Sequence, residues 1–248
     1  MFKTPGKTYW NGNWAGAVPS GSLSSLNVFN LDLKTLFRSL RLTASARVAE
    51  IGFAPGKTLA WVHDHVTRNV VGVDYSDQGC AIARQFFAAT GRSAQMLCED
   101  ATAVAGLDGT MDLVYSIGVL EHFDDPSDML GAHLRWLKAG GTALVLIPNY
   151  SGLYQRLQAR LDPANLEIHN LDVMRPSFWT DLQARHPDYV LTASFYGRPS
   201  PWLLSLQKYG VGGRLVQYAL NFLAFIWPRN TRFAANILIV GRRRAAVQ

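Results

Sequence analysis

Cysteine is nearly absent from this 248-residue chain, with Cys80 and Cys98 its only two. They have no metal-ligand spacing and fall short of the pairing density of a small secreted scaffold. Free thiols in a reducing compartment, and with them a cytoplasmic location, are therefore expected. Charge is also sparse: only 17% of residues are charged, and although the formal net charge is +6, no lysine-rich run gathers it. That diffuse balance, together with the lack of a basic-aromatic strand pattern, argues against a nucleic-acid partner. The start Met1–Trp14 is polar and aromatic, without an apolar stretch ahead of a small-residue cleavage site, so no signal peptide is expected.

Complete phosphate loops are missing as well. A Walker loop needs four residues between its glycines, but only Phe53, Ala54 and Pro55 separate Gly52 from Gly56-Lys57-Thr58. A dinucleotide fingerprint starting at Gly52 would need glycines where Ala54 and Lys57 stand. The segment Val48–Lys57 (VAEIGFAPGK) instead joins a short apolar strand to a glycine turn with Glu50 at the junction, a charge that suits a ligand carrying a cation.

Further acidic groups close successive strand-like runs. Asp74 ends VVGVD 22 residues after Gly52, close to the offset at which a carboxylate meets a ribose in doubly wound folds, and Asp100 follows the run Ala94–Cys98. Met111–Phe123 supplies a fourth strand and the turn beyond it. Helix-period segments at 58–67, 77–90 and 127–137 alternate with strands at 70–74, 94–98, 112–116 and 142–147, which predicts an α/β, mostly parallel, doubly wound sheet. A helix at 174–185 and strands at 189–195 and 236–240 complete the expected elements.

Five segments, Glu50–Gly56, Val70–Ser76, Cys98–Ala101, Ser116–Pro126 and Leu134–Asn149, resemble in order the motifs of the class I S-adenosylmethionine-dependent methyltransferases, among them the ubiquinone-biosynthesis enzymes. The resemblance implies a Rossmann-like sheet of seven strands, the last two antiparallel. It also implies S-adenosyl-L-methionine as cofactor, with S-adenosyl-L-homocysteine as product. By that resemblance the loop with Glu50, Gly52, Ala54 and Gly56 surrounds the methionine part, Asp74 binds the ribose hydroxyls and Tyr75 packs on the adenine. Asp100 and Ala101 read the adenine edge, and Ser116 lies near the transferring methyl. Ala54 replaces the middle glycine of the family's usual loop, a small change expected to leave binding intact.

The domain reading is an N-terminal lead and helix over 1–45 and a methyltransferase domain over 46–248. Within the lead, Leu33, Leu36, Phe37 and Leu40 form the core stripe of a helix at 30–42. Tyr9, Trp10 and Trp14 either tack a tail onto the domain or cover the cofactor as a lid. An insert, 196–235, precedes the last strand. Its segment Arg214–Trp227 sets Arg214, Gln217, Tyr218 and Asn221 on one stripe among apolar side chains, and is too short for the ~20 residues of a membrane span. Core packing, a lid over an apolar acceptor, a dimer face and peripheral membrane contact through 202–227 all fit. Trp202, Leu203, Leu204, Phe225 and Trp227 would then be anchors, with Arg229, Arg232 and Arg242–Arg244 near headgroups.

Methyl transfer to a hydroxyl requires loss of its proton, which directs attention to histidines. His122, just after the fourth strand, and His169, after the fifth, are the catalytic candidates. His63 and His65 lack partners at ligand spacing, and no metal site is expected. The functional expectation is methylation of a small, largely apolar or amphipathic acceptor, at a hydroxyl or phenol oxygen. C-methylation of a quinone- or prenyl-like acceptor, and a non-catalytic cofactor-binding protein on the same fold, are the alternatives.

Overall fold

Strand β1 (Val48–Ile51) is buried along its whole length, as its apolar sequence requires of a strand covered on both faces. The computed structural model describes residues 3–17 and 23–244. Ahead of β1 stand α1 (Lys7–Trp14) and α2 (Val28–Ser39). After it come α3 (Lys57–His65), β2 (Val70–Val73), α4 (Asp77–Ala89), β3 (Gln95–Leu97), β4 (Met111–Ile117), α5 (Ser127–Arg135) and β5 (Leu137–Pro148). Helices α6 (Gly152–Leu161), α7 (Pro163–Glu167) and α8 (Pro176–Arg185) lead to β6 (Tyr189–Tyr196), α9 (Gly210–Ala224) and β7 (Asn236–Arg243).

The seven strands run β3-β2-β1-β4-β5-β7-β6, parallel from β3 through β5, with β7 antiparallel to both neighbours. Strand order reverses between β1 and β4, and open α/β sheets bind ligands in the crevice at such a switch point. Alternation sorts the core into two layers. Val48, Val70, Leu113, Tyr115, Leu144 and Leu146 pack against residues of α2, α3 and α4. Ala49, Val71, Val114, Val145 and Ile147 pack with residues of α5 and α8. The Rossmann-like sheet expected from the sequence is the observed fold.

The differences have local causes. Helix α2 starts before residue 30 because the Asn27 side chain accepts hydrogen bonds from Phe29 N and Asn30 N, and it stops before Arg41, whose φ is +51°. Strand β5 begins at Leu137, which pairs with Met111 ahead of a register shift, so α5 ends at Arg135. Helix α1 has no apolar period and is held by docking: Asn11 Oδ1 accepts from Ser76 Oγ (2.8 Å) and Gln78 N (3.3 Å), and Lys7 pairs with Asp77 at 2.9 Å. Asp125 Oδ1 accepts from Ser127 N at the start of α5, as its place before Pro126 suggests.

Cys80 and Cys98 are not free thiols. The β2 to α4 turn and the end of β3 bring their Cα atoms to 6.1 Å, and they form a disulfide. Cysteine usage thus gives no support to a cytoplasmic location. Among the described residues no helix is long and apolar enough to cross a membrane.

Candidate active site

The ends of β1, β2 and β4 open into a cavity of about 420 Å³, within the range that takes small-molecule cofactors. Its floor and sides include Gly52, Ala54, Asp74, Tyr75, Asp100 and Ala101 from the sequence motifs. Gly52 has φ +74°, and a Cβ there would stand 2.6 Å from Val119 Cγ2, so the backbone approaches the β4 turn as only glycine allows. Asp74 lies at the centre of the turn: Oδ2 accepts from Ala54 N (3.1 Å) and Oδ1 from Ser76 N (2.9 Å). Burial raises its pKa, with the two backbone N–H bonds opposing. Asp100 Oδ1 accepts from Thr102 N and Oγ1.

Three expected residues do not line this cavity. Glu50 is buried beneath it and accepts a hydrogen bond from Tyr115 Oη at 2.7 Å; burial lifts its pKa well above the usual carboxylate range. Ser116 is buried against α5, with its Oγ 2.9 Å from His133 Nε2. Gly56 begins α3, packed toward Ala83 and Phe87. Glu50 and Ser116 sit at the strand ends, bonded to Tyr115 and His133, and Gly56 sets the helix start.

The N-terminal segment contributes to the cavity wall. Thr4, Pro5, Gly6, Trp10 and Trp14 line it, and Tyr75 Oη donates to Pro5 O at 3.2 Å. Burial pushes the Tyr75 phenol up to about 12, so it stays protonated as a donor. Trp14 reaches the cavity because residue 79 in the first turn of α4 is glycine. A Cβ there would meet Ala54 Cβ at 2.6 Å and Trp14 Cδ1 at 2.9 Å. Gly79→Val is therefore expected to displace α1, weaken cofactor binding several-fold and speed proteolytic cleavage near residue 15. Unchanged affinity and cleavage would mean that α1 does not seal the cavity.

The donor set fits an adenosyl group with a charged amino acid: carboxylates at Asp74 and Asp100, a glycine approach at Gly52 and an apolar wall at Val73, Ile117 and Met129. Residues 49–145 match the methyltransferase domain family. Those residues form a methyltransferase domain. No curated protein matches its sequence. Its fold is similar to the YcgJ protein of Bacillus subtilis, with TM-score 0.61 and 16% identity over 87% of this chain and 99% of that one. It is also similar to Haemonchus contortus phosphoethanolamine N-methyltransferase 2, solved with phosphomonomethylethanolamine and S-adenosylhomocysteine, with TM-score 0.61 and 15% identity over 96% of this chain and 57% of that one. An S-adenosylmethionine-dependent methyltransferase of Thermotoga maritima gives TM-score 0.55 and 18% identity over 86% and 88%.

A second cavity, of about 360 Å³, abuts the first across Trp10, Ile117, Gly118 and His122. Apolar groups from Phe29, Leu146, Ile168 and Leu203 share its wall with Glu121, His122 and His169. The two candidate histidines meet here, with ring centroids 4.7 Å apart. His122 Nδ1 is bonded to Ile168 O (2.7 Å) and His169 Nδ1 to Asn165 O, so each leaves Nε2 as the group with a free lone pair. Trp10 meets the His122 ring edge-on at 4.9 Å.

Glu121, unassigned by the sequence, joins them. Oε1 lies 3.9 Å from His122 Nε2, and Oε2 is buried without a hydrogen-bond partner. Burial pushes its carboxyl up to about 8. Burial, then the nearby His169, lowers His122 to about 3, leaving a neutral imidazole. Ligating atoms of Glu121, His122 and His169 all fall within 4.8 Å of one another. A zinc shell with bonds of about 2.1 Å holds its donors closer, about 3.5 Å apart, so a metal would require the cluster to contract. His63 is bonded to Asp64 and His65 is stacked on Trp61, remote from this cluster in role.

Proposed function

We propose that this methyltransferase acts on a hydroxyl or phenol oxygen of a small, largely apolar acceptor. The observation that carries the reading is the contact between the two cavities: the wall they share contains His122, backed by Glu121 and His169. An apolar body fits beside Phe29, Leu146, Ile168 and Leu203, while its hydroxyl meets the polar corner of Glu121, His122 and His169.

Gly52, Ala54, Asp74, Tyr75, Asp100 and Ala101 would hold the cofactor, with Asp74 and Asp100 accepting from its hydroxyl and amino groups. S-adenosylmethionine supplies an electrophilic methyl with a neutral leaving group. His122 Nε2 takes the acceptor proton, and its Nδ1–H bond to Ile168 O fixes the tautomer. A neutral, strongly desolvated imidazole is a weak base alone. The imidazolium formed is stabilised by the Glu121 carboxylate beside it. Trp10, over both cavities, and Trp14, over the first, exclude water and act as a lid.

A pH dependence follows from Glu121. Its folded pKa is raised to about 8, so below that pH it is neutral and cannot offset a charge on His122; above it the carboxylate can. The rate with a phenolic acceptor is expected to rise about tenfold per pH unit toward pH 8 and then level, and Glu121→Gln should flatten that limb. The assay is S-adenosylhomocysteine formation with apolar phenols, amines and quinones in parallel. Turnover confined to amines or to quinone carbon would reject oxygen transfer.

A further inference from the structure

Helix α9 is amphipathic in the reverse sense. Its sequence suggests that the apolar side chains should be buried and the stripe of Gln217 and Asn221 exposed. The structure does the opposite. Gln217 and Asn221 are buried at 2% and 5% exposure, whereas Ile226 is 84%, Phe222 75% and Leu215 65% exposed. The inward stripe is fixed by hydrogen bonds: Asn221 Oδ1 accepts from Val28 N (3.1 Å) and Trp202 Nε1 (3.4 Å), and Asn221 Nδ2 donates to Leu26 O (2.7 Å). Asn221 thereby completes the start of α2 and sets the rotation of α9. Core packing of this helix, one of the sequence expectations, is excluded.

The outward face carries Val211, Leu215, Val216, Phe222, Leu223 and Ile226, with no charged residue among them. Monomeric proteins rarely leave such contiguous apolar surface without a use. It is no acceptor lid, since neither cavity is lined by a residue of α9. Of the expected anchors, Leu204 is buried and Leu203 packs on the core, so neither is available; Trp202 and Trp227 remain exposed.

Charge selects the occupant. Residues 196–235 contain Arg198, Lys208, Arg214, Arg229 and Arg232 and not one Asp or Glu. Arg198 and Arg229 share Asp32, and Lys208 pairs with Asp162, while Arg214 and Arg232 make no ion pair among the described residues. A second copy would set this basic segment against itself without a carboxylate to answer it. An anionic lipid surface answers it directly, and an in-plane helix with an apolar face and flanking cations is the form such binding takes.

We propose that α9 docks its outward face on an anionic bilayer surface. Trp202 connects the docked face to the interior: it packs edge-on against Tyr218 of α9, ring centroids 6.0 Å apart, and lines the second cavity. Docking therefore places the acceptor cavity at headgroup level. Membrane binding stands on α9 alone and does not depend on which atom is methylated.

The test is co-sedimentation of the full chain with vesicles of phosphatidylcholine alone and of phosphatidylcholine with 30 mole percent phosphatidylglycerol. The expected result is recovery with the anionic vesicles, weakened at least tenfold by Phe222→Ser with Ile226→Ser, and reduced by Arg214→Glu or by added salt. Both variants should keep the melting temperature and cofactor affinity of the parent. No recovery with either vesicle, or recovery unaffected by the double substitution, overturns the proposal. So does sedimentation showing that the parent dimerises and the double variant does not, which would assign the face to a second copy.

Discussion

Replacing Asp74 by alanine is expected to weaken S-adenosylmethionine binding by on the order of 1.5 to 3 kcal/mol, or roughly 10- to 150-fold in Kd. Two losses combine. The carboxylate lines the cofactor cavity and can accept charge-assisted bonds from ligand hydroxyls, and it also ties Ala54 N and Ser76 N across the turn. The melting temperature of the free protein isolates the second loss, because the turn bonds exist without ligand. Asp74→Asn keeps one carbonyl acceptor in the same place and should fall between the parent and the alanine variant. Titration calorimetry with S-adenosylmethionine and S-adenosylhomocysteine measures all three; equal dissociation constants would remove Asp74 from the cofactor site.

His122→Ala is expected to lower kcat by about 100-fold or more, with cofactor affinity changed only a few-fold. The split follows from position: the ring stands on the wall between cavities and presents Nε2 to the acceptor side, beside Glu121 and His169. His169→Ala should cost less, because His169 lines only the acceptor cavity, whereas His122 stands on the wall shared with the cofactor cavity. The double variant should then be little slower than His122→Ala, the non-additivity expected of residues acting as a unit. Near-normal turnover in His122→Ala would transfer the role to His169 or show that desolvation alone suffices.

Where local pattern and tertiary environment agree, the structure was legible in the sequence. The run VAEI reads as a strand buried on both faces and is one, and the acids at 74 and 100 stand at successive strand ends because parallel connections bring those ends to one edge. What could not be read depends on partners distant in the chain. Glu50 looks like a ligand group until Tyr115, 65 residues away, takes its carboxylate. Helix α1 has no apolar period and owes its form to the bonds Asn11 accepts from Ser76 and Gln78 at the start of α4 and to the space left by Gly79. Cys80 and Cys98 pair only because β3 lies beside β2. The rotation of α9 was hidden because hydrophobicity predicts burial, while here three bonds to Asn221 decide which face turns inward.

The position of Trp10 bears on the timing of the catalytic cycle. It walls both cavities, and α1 with the segment before it is held by Lys7, Asn11 and the Pro5 carbonyl. One wall therefore serves two rooms: a displacement of α1 would open the cofactor and acceptor chambers together. Departure of the methylated product and exchange of cofactor become successive events of one opening, and product-inhibition patterns should show a compulsory order in place of independent traffic through two entrances.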